Sequence, residues 1–150
     1  MSIDRFEKFS NSIFKLFKIW HKIAAHEMSS FGLNASQLTY ILSLYNSQNG
    51  MTSADLVYVS GKDKSDVSRS LNALVKEGLV EKQSIHQKGY GGIFFLTDEG
   101  KDIAGQLNDK VNKAVDLANL NITEEKREVF YEVLENFLEN LETIEKEGLA

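Results

Sequence analysis

A mostly helical fold of six helices with one small β-hairpin wing, a winged helix-turn-helix at its centre, is what this 150-residue chain predicts. Three observations predict it. Residues 52–78 hold two helical segments with capping residues at their starts, separated by Gly61 and ended by Gly78. Residues 79–97 read as two antiparallel strands around Gly89-Tyr90-Gly91-Gly92. Apolar residues recur at steps of three and four through both ends of the chain, a helical period.

The first helix spans residues 3–29. Phe6, Phe9, Ile13, Leu16, Phe17, Trp20, Ile23 and Ala24 make its apolar stripe, and Gly32 suits a left-handed cap. Asn34 with Gln37 three residues later is a capping-box pattern, opening a second helix with Leu38, Ile41, Leu42 and Tyr45 as its expected buried face. Thr52 with Asp55 repeats that pattern for a short third helix with Leu56 and Val59 inside. Asp63 can cap a fourth helix. Val67, Leu71 and Leu74 share one of its faces, and Ser65, Arg69, Asn72 and Lys76 lie opposite at about 100° per residue. After the hairpin, Thr97-Asp98-Glu99 suits a fifth helix start, with acids at the positive end of the dipole. Ile103, Leu107, Val111, Val115 and Ala118 form its stripe. Thr123 opens the sixth helix, in which Phe130, Leu134, Phe137, Leu141 and Ile144 form a heptad seam.

Composition narrows the function classes. Without cysteine there is no disulfide, thiol sensor or cysteine nucleophile. The first helix carries charges from Asp4 to Lys8, so a secretory leader is not expected. No apolar run approaches the roughly 20 residues that span a bilayer, and a cytoplasmic location without a membrane partner is expected. The net charge of −5 argues superficially against nucleic acid, but the charge is uneven. Residues 121–150 hold nine Glu against Lys126, Arg127 and Lys146, whereas residues 60–92 hold six cations against four acids. The segment with the helix-turn-helix is therefore the mildly basic one.

The outer face of the fourth helix is rich in hydrogen-bond donors. An α-helix fits the major groove, where its N-terminal residues reach base edges. Arg69 can make a bidentate contact to guanine, Asn72 can read adenine, and Ser65 and Ser68 can meet base or phosphate. Lys62, Lys64 and Lys76 can neutralise phosphates. An isolated helix face of this kind is equally consistent with plain solvation. The hairpin and the capped helix beside it favour DNA.

The run Asp63-Lys-Ser-Asp-Val-Ser-Arg-Ser-Leu-Asn-Ala-Leu-Val-Lys-Glu-Gly-Leu-Val80, with Leu96-Thr-Asp-Glu-Gly100 after it, resembles the winged helix-turn-helix of the MarR family of bacterial transcription regulators. The order of all six helices extends the resemblance over nearly the whole chain. It implies a homodimer held by the first, fifth and sixth helices on a pseudo-palindromic operator in double-stranded DNA. Residues 33–97 would be the DNA-binding lobe, and residues 1–32 and 98–150 the dimerisation lobe. Ser65, Asp66, Ser68, Arg69 and Asn72 stand where that family reads the major groove. The wing departs from the family pattern. Ile85-His-Gln-Lys-Gly-Tyr-Gly-Gly92 lacks the arginine that many relatives send into the minor groove. Lys88, with His86, Gln87 and Tyr90, is left to serve there, and a weaker wing contribution is expected. Lys62 stands where relatives usually place an apolar residue, and a phosphate contact is its expected use.

Three further readings remain. Trp20, His21, Ala24, Tyr40 and Tyr45 are candidates to line a pocket for a small aromatic effector, as the resemblance implies, with His21, His26 and Tyr40 as its polar groups. The plainer reading, core packing, is preferred. His21 and His26 are about 140° apart on their helix and do not share a face, so no metal site and no cofactor are expected. The seam Phe130, Leu134, Phe137, Leu141, Ile144 is either intramolecular core or, the preferred reading, a dimer interface together with Phe6, Phe9 and Ile13. No nucleophile or phosphate-loop pattern supports catalysis. The expected function is a DNA-binding regulator, in first place a repressor. The alternative is a winged-helix protein-interaction module with little DNA affinity, an antirepressor or adaptor.

Overall fold

The computed structural model describes residues 2–84 and 91–149. Their elements are α1 (Ser2–Ser29), a 3-10 turn (Ala35–Gln37), α2 (Leu38–Asn46), β1 (Met51–Thr52), α3 (Ser53–Ser60), α4 (Lys64–Lys76), β2 (Val80–Ser84), β3 (Gly92–Leu96), α5 (Asp98–Ala118) and α6 (Glu124–Glu147). The expected six helices and hairpin are present among the described residues. One strand was not expected. β1 pairs antiparallel with β3, Met51 opposite Phe94, so the sheet order is β1-β3-β2. Two residues are too few for alternation to signal a strand.

The chain forms two compact units, Met1–Asn112 and Lys113–Ala150. The core of the first gathers Met28 of α1, Tyr40, Ile41 and Leu44 of α2, Leu56 of α3, Val67, Leu71 and Leu74 of α4, Val80, Phe94 and Leu96 of the hairpin, and Ala104 and Leu107 of α5, with Leu33 and Leu79 from the connections. Each large side chain taken from water there contributes roughly 1.5–3 kcal/mol before entropy is charged. Glu27 of α1 and Lys110 of α5 form an ion pair on the surface of this unit.

Two details correct the expected packing. The buried face of α2 is Tyr40, Ile41 and Leu44, while Leu38 and Leu42 are half-buried and Tyr45 is exposed. All of these positions lie in regular helix, and the packing of α2 against α3, α4 and β3 selects the side that faces the core. In α3, Leu56 is buried as expected, but Val59 is exposed at the rim of a shallow depression with Ser43, Ser47 and Met51.

The junction between hairpin and α5 explains the Leu96-Thr-x-x-Gly100 spacing. Thr97 Oγ1 accepts the Gly100 N–H at 3.1 Å, and the hydroxyl donates to the Gly78 carbonyl at 2.7 Å. Gly100 then lies flat on the Leu79 backbone, where a Cβ would stand 2.0 Å from the Leu79 carbonyl oxygen.

In the second unit, Asn121 takes a left-handed conformation (φ 65°) between the helices. Thr123 caps α6 by accepting the Lys126 N–H at 3.3 Å. None of the residues of α6 is buried.

Candidate nucleic-acid interface

α3 and α4 form the helix-turn-helix. Thr52 Oγ1 accepts the Asp55 N–H at 3.1 Å, and Asp55 Oδ2 accepts the Thr52 N–H at 2.9 Å. The Thr52 backbone amide, then its hydroxyl, hold the Asp55 carboxyl below the usual carboxylate range. Gly61 (φ 62°) turns the chain in the left-handed region that glycine adopts without strain. Asp63 Oδ1 then accepts the Asp66 N–H at 2.7 Å and starts α4. At the other end Leu79 N–H bonds back to the Leu74 carbonyl and Gly78 N–H to that of Val75, a Schellman stop. α4 is thus closed at both ends by its own local residues.

α4 buries Val67, Leu71 and Leu74 and exposes Lys64, Ser65, Ser68, Arg69, Asn72 and Lys76. The expected polar face therefore stands together on one rigid, solvent-facing surface. The Asp63 carboxylate is engaged as the helix cap. The exposed charges of the helix proper are Lys64, Arg69 and Lys76, so its outer face is cationic in a chain of net charge −5.

Two members of the expected set face elsewhere. Asp66 is half-buried, and its Oδ1 accepts the Tyr40 hydroxyl proton at 2.5 Å. Lys62 is also half-buried. Its Nζ donates to the Ser36 carbonyl at 3.3 Å and sits 5.3 Å from the Tyr40 ring centroid, a cation–π distance. Its ammonium group is therefore spent on α2 and the turn before it. Burial, and next the Asp66 carboxylate, push the Tyr40 phenol well above its ordinary range. His86, Gln87, Lys88 and Tyr90 of the wing tip lie outside the described residues. Below the tip, β2 and β3 pair from Val80↔Leu96 to Ser84↔Gly92, and Lys82 Nζ lies 5.7 Å over the Phe94 ring.

A cavity of about 280 Å³ in the first unit is lined by Phe17, Trp20, His21 and Ala24 of α1, by Ala35, Ser36, Leu38, Thr39 and Leu42, and by Lys62 and Val111. Trp20, His21 and Ala24 thus come together as candidates for a pocket. Tyr40 is fully buried in the core, and Tyr45 lies in a separate depression with Glu81, Gln83 and Lys101. Neither lines the cavity. Phe17 was missed, although its spacing to Trp20, His21 and Ala24 puts it on their helix face. Ser36 and Thr39 carried no sequence signal, because it is the packing of α1 against the 3-10 turn, a tertiary contact, that brings them to it. Among the described residues no group of three His, Asp or Glu could hold a metal.

The dimer candidates are exposed in the single chain. Phe6 is 71% exposed, Phe130 is 56% and Leu141 is 46%. Phe9, Ile13, Phe137 and Ile144 are exposed as well, and Leu134 is half-buried. No helix among the described residues is long and apolar enough to cross a membrane.

Residues 31–88 match the model of the MarR family. A search of curated proteins returned no match. Among solved structures, a MarR family transcriptional regulator from Listeria monocytogenes complexed with 26mer DNA is 20% identical with a TM-score of 0.82, over 93% of this chain and 95% of that one. A MarR transcriptional regulator from Methanosarcina mazei Go1 is 21% identical with a TM-score of 0.78, over 92% of each chain. A MarR protein from Peptoclostridium difficile is 19% identical with a TM-score of 0.81, over 90% of this chain and 88% of that one. At such identities the likeness is one of fold. The resemblance read from residues 63–80 and 96–100 is borne out.

Proposed function

From a chain whose residues 31–88 match the MarR family and whose fold is that of MarR regulators, we propose a sequence-specific DNA-binding transcription regulator. The observation that carries this reading is the outer face of α4. Ser65, Ser68, Arg69 and Asn72 offer base-reading groups, with Lys64 and Lys76 beside them for phosphates, on a helix capped at both ends. The relative complexed with DNA supports the same partner. The protein acts in the cytoplasm as a homodimer on a pseudo-palindromic operator, and its first role is repression. The lobe of residues 33–97 meets DNA, and residues 1–32 and 98–150 pair the two copies. The exposed apolar faces of α1 and α6 support that pairing, since apolar surface of this extent on a free chain calls for a partner.

A small aromatic effector in the cavity of Trp20, His21 and Ala24 relieves repression by favouring dimers whose reading helices are wrongly spaced for a DNA turn. The test is fluorescence anisotropy with the DNA upstream of the protein's own gene at two salt concentrations. Binding that weakens steeply with salt is expected. The second reading, a winged-helix adaptor, draws on the acidic α6 and the arginine-free wing. Absence of salt-dependent binding at low ionic strength would decide for it.

A further inference from the structure

Tyr40 is completely buried, 26 residues from Asp66 in sequence, yet its hydroxyl is the partner of a carboxylate on the first turn of α4. Three pieces of chain meet at this ring. The phenol comes from α2, Asp66 from α4, and Lys62 from the turn between α3 and α4 lies over the ring face.

The first turn of α4 has one buried apolar anchor, Val67, and apolar contact is non-directional. The hydrogen bond from Tyr40 is directional and charge-assisted, so it sets the rotation of that turn about the helix axis. It also keeps the Asp66 carboxylate off the face that Ser65, Ser68 and Arg69 present. A carboxylate released onto that face would repel phosphate.

We propose that Tyr40 and Asp66 are a positioning pair for the reading helix: the buried hydroxyl holds Asp66 inward and thereby aims Ser65, Ser68 and Arg69 at the groove. Asp66 is then no base reader. This rests on the DNA-binding reading, but its structural half is measurable without DNA.

The experiment compares wild type with Tyr40→Phe, Asp66→Ala and Asp66→Asn in hydrogen exchange of the amides of residues 64–70, and in anisotropy with the protein's own upstream DNA and a shuffled duplex. Asn at 66 still accepts from Tyr40. Tyr40→Phe and Asp66→Ala are each expected to speed exchange and to weaken binding to the upstream DNA about tenfold, the loss of one hydrogen bond to a charged group. Asp66→Asn keeps a weaker, neutral bond and falls between wild type and Asp66→Ala in both readouts. The double variant Tyr40→Phe with Asp66→Ala loses no more than the worse single one.

Unchanged exchange and unchanged preference in Tyr40→Phe would overturn the proposal. So would faster exchange with an intact preference for the upstream DNA, or a binding loss in Asp66→Ala that Tyr40→Phe does not share. If Tyr40→Phe fails to fold, the contrast of Asp66→Asn with Asp66→Ala decides, and equal behaviour of the two overturns the pair. Wild type that binds neither duplex defeats the DNA reading. The exchange data then decide by themselves whether Tyr40 holds the helix.

Discussion

Arg69 is the residue on which base reading is expected to turn. It is exposed in the second turn of α4, with no acid of its own helix turned toward it, because Asp63 and Asp66 are both committed to other bonds. Arg69→Ala is expected to cost about 1–3 kcal/mol per half-site and to relax sequence preference. Equal losses on the upstream DNA and on random duplex would make it a phosphate contact only. Two lysines separate the roles further. Lys64 is exposed beside the helix start, whereas the Lys62 ammonium is held by Ser36 and Tyr40. Lys64→Ala should therefore make the slope of log affinity on log salt shallower by about 0.9 for each phosphate lost. Lys62→Met should leave that slope unchanged. A shallower slope in Lys62→Met would return Lys62 to the phosphate-binding set.

At the level of elements, local chemistry explains most boundaries. The Thr52–Asp55 and Asp63 caps work because donor and acceptor lie three residues apart, so they are readable from adjacent letters. The hairpin-to-helix junction is equally local in pattern, but its reason is a close approach. Gly100→Ala would push a methyl into the Leu79 carbonyl, which is backbone and cannot yield cheaply. A loss of about 2–3 kcal/mol is expected, visible as a fall in Tm. An unaltered Tm would show that α5 can shift to accommodate it. β1 and the rotated face of α2 were not legible. The first is too short for alternation, and the second is set by long-range packing of α2 against α3, α4 and β3.

Tyr40 links two elements and carries a pH signature. Its folded phenol holds its proton above the ordinary value near 10, so the unfolded chain ionises first. Its contribution to stability is complete below about pH 10 and is lost as pH rises toward the folded value. Wild type should lose stability on the alkaline side faster than Tyr40→Phe, since all other titrating groups are common to both. Parallel decline of the two proteins in chemical denaturation from pH 8 to 11 would contradict this.

For the whole molecule, the question is what covers α1 and α6. α6 has a seam of heptad spacing and no buried residue, and α1 buries Met28 while exposing Phe6, Ile13 and Phe17. Leu141→Glu would place a carboxylate in any interface on that seam, twice in a two-fold dimer. Light scattering at micromolar concentration should then find monomers with an intact helical spectrum, against dimers for wild type. A monomeric wild type would remove the dimer, and with it the pairing of two reading helices.

Caps, stops, apolar periods and the motif of α4 could be read in the linear chain because each depends on neighbours a few residues away. The orientation of Lys62 and Asp66 could not. Both sit in a stretch whose pattern reads as solvent-facing, and both turn inward because Ser36 and Tyr40, far earlier in the chain, offer a carbonyl, a ring face and a hydroxyl. Helical phase decides the side on which a residue starts. The choice between water and a distant partner is made only when the chain closes on itself and the competing hydrogen bonds are all in reach.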